Sequence, residues 1–159
     1  MNKNRLESFS DGVFAILITI MVLEINVPNS YEWIDLKPLI PVLISYLLSF
    51  IHIGIYWGNH HHLLKYISSG STGNTGIIWA NHNLLFWLSL IPFITLWMGE
   101  SNFSSNTISL YAIILLTNSL SFNILLKVIK RGTENKESLK KGFIIMNYKG
   151  IFTIISYLL

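Results

Sequence analysis

No cysteine occurs among the 159 residues, which excludes disulfides and thiolate metal sites and leaves the redox compartment unreadable. Charge is scarce as well. Asp, Glu, Lys and Arg together make up 12% of the chain, against about 25% in an ordinary soluble domain. Such a chain cannot clothe a water-facing surface in polar groups, so lipid is its expected solvent. Alternation of strand period, internal repeats and low-complexity tracts are missing too, which sets aside a membrane barrel. Nothing resembles a nucleophile–base pair, a phosphate-cradling loop or a nucleic-acid surface, so the chain reads as neither an enzyme nor a nucleic-acid binder. No signal peptide is evident, because the first apolar run is too long for one and lacks a small-residue cleavage site.

What the chain has is hydrophobic length: 52% of residues are hydrophobic and the mean hydropathy is +0.52. A helical span needs about 20 apolar residues. Four stretches meet that length, at about 9–27, 39–58, 77–98 and 107–126, and a shorter fifth covers 143–159. The reading is an all-α, polytopic membrane protein forming a single transmembrane domain over 1–159. Pro28 stops the first span, while Pro38 and Pro41 stand at the start of the second, where proline costs a helix least. Pro92 predicts a kink within the third span. The last stretch ends without a polar tail, which reads as a truncated C-terminus.

Basic residues set the expected orientation. Lys3, Arg5, Lys65, Lys127, Lys130, Arg131, Lys136, Lys140 and Lys141 fall on one side of the membrane, and Lys37 alone lies in the opposite loops. The positive-inside rule then places the N-terminus in the cytoplasm of a multi-pass cell-membrane protein. Trp57, Trp79, Trp87 and Trp97 lie mostly near predicted helix ends, as interfacial anchors do.

The first span carries the polar information. At 100° per residue, Gly12, Ile16, Thr19, Ile20 and Leu23 share an arc of about 100°, and Asp11 points well away from it. A carboxylate at the membrane boundary needs a partner. Partners are available on the same side: His60, His61 and His62 end the second span, and Asn81-His82-Asn83 lie in the third. Three consecutive histidines diverge by 100° each on a helix and cannot converge on one ion. Hydrogen bonding to Arg5, Ser10 and Asp11 is the better use for these imidazoles, and no metal or other cofactor is expected.

The segment Arg5-x-x-x-Phe9-Ser10-Asp11-Gly12, running on through Val13 to Glu24, resembles the first helix of the transmembrane protein 175 family of potassium channels. Trp57 with His60-His61, and Asn81-His82-Asn83-Leu84-Leu85-Phe86 with Pro92-Phe93, are similar to its second and third helices. The resemblance covers about residues 3–126. It implies six helices per bacterial subunit, of which five are visible here, and a homotetramer whose first helix lines the pore. Carried across, Ile16 is the main constriction, with rings of Thr19 and Leu23 beside it and Gly12 and Ile20 also pore-facing. Arg5, Ser10, Asp11, Trp57, His60, His61 and His82 form a structural polar network that holds that helix. The implied function is a potassium-favouring monovalent cation channel with a hydrophobic gate. Its implied partners are other copies of itself, lipid and the permeant ions. Two other classes stay open on the residues alone: a transporter or proton relay built on Asp11 and the histidines, and a non-conducting structural remnant.

Overall fold

A computed structural model of the chain describes residues 3–28, 30–65, 67 and 75–132. Five α-helices build it: α1 (Lys3–Leu23), α2 (Ile40–Lys65), α3 (Thr75–Leu88), α4 (Ile91–Glu100) and α5 (Ser105–Gly132). A 3-10 segment over Trp33–Leu39 leads into α2. Among the described residues four spans are long and apolar enough to cross a membrane: Lys3–Leu23, Trp33–Lys65, Thr75–Glu100 and Ser105–Arg131. The expected fifth stretch, 143–159, lies outside the described residues, as does most of the loop before α3.

The helices run past the apolar stretches that announced them. α1 begins at Lys3, α2 continues to Lys65 and α5 continues to Gly132. Hydropathy marks the length of chain that lipid tolerates, whereas the backbone stays helical for as long as neighbouring helices pack against it.

The third span, expected as one kinked helix, is divided into α3 and α4 across Ser89 and Leu90. Pro92 explains the position of the break. Its ring has no N–H to donate and clashes with the carbonyl four residues back, which belongs to Leu88, the last residue of α3. Proline is then the second residue of α4, where no N–H is needed. The Ser89 hydroxyl donates to the Phe86 carbonyl at 2.7 Å, which occupies one of the acceptors freed at the break.

α4 is short and central. It packs against α1, α2 and α5, while α3 packs chiefly on α5. Gly99 lets α4 cross α2 closely, because a Cβ there would lie 2.6 Å from the Val42 Cα. A tight turn follows, with Asn102 and Phe103 at φ 51° and 59°. The left-handed region is uncommon for Phe. Here the Phe103 N–H bonds to the Met98 carbonyl at 3.0 Å and its ring packs on the core. The core itself is mostly aliphatic, drawn from Leu6, Phe14 and Leu17 of α1, Ile53 and Leu64 of α2, Leu84 and Leu88 of α3, Ile91 and Ile94 of α4, and Leu125 and Ile129 of α5.

Candidate pore-lining helix and the clasp behind it

α1 has two unlike faces. Leu6, Ser10, Phe14, Leu17 and Met21 are buried against the bundle, at the three- and four-residue spacing of one helix stripe. The opposite stripe is left uncovered by the chain. Gly12 and Thr19 are exposed on it, as are Ile16 at 56%, Ile20 at 39% and Leu23 at 80%. The arc that helical angles picked out is therefore the uncovered one. A Cβ added to Gly12 would meet nothing within 4 Å. The Thr19 hydroxyl donates to the Ile16 carbonyl at 2.9 Å. Its proton is thus turned into the helix and its lone pairs face outward.

The buried stripe is held by polar contacts in its N-terminal half. Asn81 of α3 donates through Nδ2 to Ser10 Oγ at 3.0 Å, and Ser10 passes its own proton to the Leu6 carbonyl at 2.8 Å. Asn81 Oδ1, which can only accept, lies 2.7 Å from His60 Nε2. That geometry places the imidazole proton on Nε2. Ser10, His60 and Asn81 are all fully buried, and the Phe14 ring sits 5.6 Å from that of His60.

A second set of contacts lies nearer the helix surface. Trp57 donates its indole N–H to Asp11 Oδ1 at 2.9 Å. The Trp57 ring stacks at 6.1 Å on His61, whose Nδ1 is 3.0 Å from Glu7 Oε1. Lys3 Nζ reaches the Lys65 carbonyl at 3.4 Å. Together the two sets tie the first half of α1 to α2 and α3.

Of the seven residues expected in the network, the structure joins Ser10, Asp11, Trp57, His60 and His61 to it. His82 is bound differently: Nδ1 turns back to the Ile78 carbonyl at 2.8 Å, and the ring stacks on Phe9 at 5.5 Å. Among the described residues Arg5 is not brought to the network. It stands on the exposed stripe, five full turns of angle from Leu23 and so in line with it. Sequence reasoning missed Asn81 as the centre of the buried contacts and Glu7 as the partner of His61. An asparagine inside an apolar run was the available signal for the first. Nothing marked Glu7 among the other N-terminal charges. Among the described residues no group of three or more His, Asp or Glu converges on a metal site.

The fold and this site define a multi-pass helical membrane protein that leaves one face of its first helix unpartnered. The family model described as endosomal/lysosomal potassium channel TMEM175 matches residues 5–92, from α1 to the start of α4. A potassium channel of Chryseobacterium sp. is 46% identical over 159 residues, all of this chain and 81% of its own length. One of Streptomyces collinus is 31% identical over 79% of this chain and 64% of its own length. The crystal structure of a lysosomal potassium-selective channel TMEM175 homolog from Chamaesiphon minutus superposes with a TM-score of 0.79 at 28% identity, covering 98% of this chain and 85% of that one. The chain belongs to the TMEM175 family, a family of ion channels and not of enzymes.

Proposed function

We propose that copies of this chain assemble as a homotetramer in the cell membrane, N-terminus in the cytoplasm, with four α1 helices around a potassium-favouring cation pore. The observation that carries the reading is the uncovered stripe Gly12, Ile16, Thr19, Ile20 and Leu23 on a helix that is otherwise packed and polar-bonded. Relatives named potassium channels support the permeant ion. In the assembly Ile16 forms the narrowest ring, Leu23 a further apolar ring, and Gly12 and Ile20 the wall between and below them. Thr19, with its lone pairs outward, gives a passing cation a ring of oxygen contacts next to the apolar constriction.

An apolar constriction gates by dewetting, and it favours the ion that gives up water most cheaply. Potassium holds its hydration shell less tightly than sodium, so selectivity needs no carbonyl cage and no cofactor. Arg5, in line with Leu23 on the uncovered stripe, faces the other copies rather than its own bundle, and Glu7 or Asp11 of a neighbouring copy is its partner of opposite charge.

A proton relay through Asp11 and the histidines needs those groups to line a wet cavity. The direct bonds of Ser10, Asn81 and His60 within packed helices favour a structural role instead. The test is flux through purified protein in liposomes, potassium against sodium. The expected result is potassium-favouring flux that rises several-fold, and loses its selectivity, in Ile16→Asn. Unchanged flux and selectivity in that variant would remove Ile16 from the pore.

A further inference from the structure

A second buried polar region lies between α2 and α5, away from the α1 stripe and unused by the pore. α2 packs on α1 and α4, and α5 on α3 and α4, so α2 and α5 face each other mainly through long side chains. At one level Ser49 Oγ lies 3.0 Å from the Tyr111 hydroxyl and 2.6 Å from Thr95 Oγ1 of α4. At another the Tyr56 ring meets Phe122 edge-on at 5.8 Å. The two levels occur in the same order along both helices, so α2 and α5 run parallel across this seam.

His52 falls between Ser49 and Tyr56 on α2, with its ring 4.6 Å from that of Tyr56. Asn118 falls between Tyr111 and Phe122 on α5, at spacings of seven and four that keep all three on one helix face. Both residues are buried. His52 Nε2 and both amide atoms of Asn118 have no hydrogen-bond partner among the described residues. Buried polar groups in native proteins are paired with protein or with ordered water, and lipid can supply neither. Helices that meet through side chains rather than backbone, as α2 and α5 do here, can leave a gap the size of a water between them.

The chemistry of the unpaired atoms selects the occupant. Asn118 offers a donor and an acceptor together, so its complement must both accept and donate. No carboxylate lies on the α2 or α5 residues of the seam to neutralise a cation, and no Lys or Arg to hold an anion. Water is the smallest molecule that fits. The fourth unpaired buried atom among the described residues, His60 Nδ1, lies apart in the α1 clasp.

We propose that the α2–α5 seam of each subunit is an internal water site, in which water bridges His52 Nε2 and the Asn118 amide separately from the central pore. The site ties α2 to α5 at mid-span and keeps His52 in contact with exchangeable protons inside the bundle. It does not depend on which ion the pore conducts.

The test is a structure of the intact, purified protein at a resolution that shows ordered solvent. Density within hydrogen-bond reach of both His52 Nε2 and the Asn118 amide is the expected result. A dry contact, density at one group only, or a side chain from residues 133–159 or a neighbouring subunit bonded to either group overturns the proposal. X-ray hydroxyl-radical labelling read by mass spectrometry gives an independent measure, since radicals arise from bound water at the spot. After correction for intrinsic reactivity, His52 should label several-fold faster than Ile53 and Leu64, which are buried like it. Asn118→Leu should bring His52 down to that level. Labelling of His52 no faster than Leu64 in the unaltered protein would also sink the idea, whatever Asn118→Leu does to folding.

Discussion

Asn81 lies 3.0 Å from Ser10 Oγ, and this one bond joins the fully buried amide of α3 to the buried stripe of α1. Asn81 has its other amide atom committed to His60 of α2, so three helices converge on one side chain. In lipid such a bond is worth about 0.6–2 kcal/mol. Removing the central partner costs more than that, because it leaves two buried groups unpaired.

Asn81→Leu is therefore expected to destabilise the protein by about 2–3 kcal/mol, since His60 Nε2–H and Ser10 are orphaned together. Ser10→Ala, which orphans only one amide hydrogen, should cost about 1 kcal/mol. Unfolding midpoints in mild detergent, followed by size-exclusion of the intact assembly, would rank the two. Equal midpoints would remove Asn81 from the centre of the contacts.

The Trp57–Asp11 bond separates charge from acceptor geometry. Asp11→Asn retains an oxygen for the indole N–H, whereas Asp11→Ala retains nothing. Loss of assembled protein is expected in Asp11→Ala, with Asp11→Asn much closer to the unaltered chain. Trp57→Phe should resemble a milder Asp11→Ala, at about 1 kcal/mol. Yields of folded protein from matched membranes give the comparison.

Two glycines predict opposite behaviour. A Cβ at Gly99 would sit 2.6 Å from the Val42 Cα and 2.7 Å from Ser45 Oγ, whereas one at Gly12 meets nothing within 4 Å. Gly99→Ala should destabilise by about 1–3 kcal/mol through overpacking. Gly12→Ala should leave the folded chain as stable or better by up to about 1 kcal/mol, while altering ion flux if Gly12 faces the pore. A flux assay beside a thermal melt separates these outcomes.

Thr19 tests the oxygen ring. Thr19→Val keeps shape and removes the outward lone pairs, so potassium flux should fall several-fold with little change in thermal stability. Thr19→Ser should keep most of the flux. Equal flux in all three would mean that the hydroxyl does nothing for the ion.

The uncovered stripe was legible in the sequence because it needs only helical angles, and Ile16, Thr19 and Leu23 fall on it without any knowledge of neighbours. The clasp was legible in outline. Ser10, Asp11 and the α2 histidines share one end of the bundle, but which polar group meets which depends on helix rotation, which periodicity cannot supply. Asn81 and His82 are adjacent, and the rotation of α3 alone decides that Asn81 is buried at the centre while His82 turns back to its own backbone. The break before Pro92 was readable as a kink. Its completeness follows from α4 packing on α1 and α2 while α3 lies on α5.

Among the described residues, Lys3, Ser10 and Asp11 bond from α1 to neighbouring helices, with the Glu7–His61 contact alongside them, all in the N-terminal half of the helix. From Phe14 onward the inner stripe is Phe14, Leu17 and Met21, which grip by dispersion alone. α1 is thus a rod clamped at its base and greased above it. Its register is fixed where directional bonds hold it, and a small swing of its upper half breaks none of them. Ile16, Thr19, Ile20 and Leu23 ride on that compliant half, so in the proposed pore the width they set changes by degrees of tilt while the root of the rod stays still.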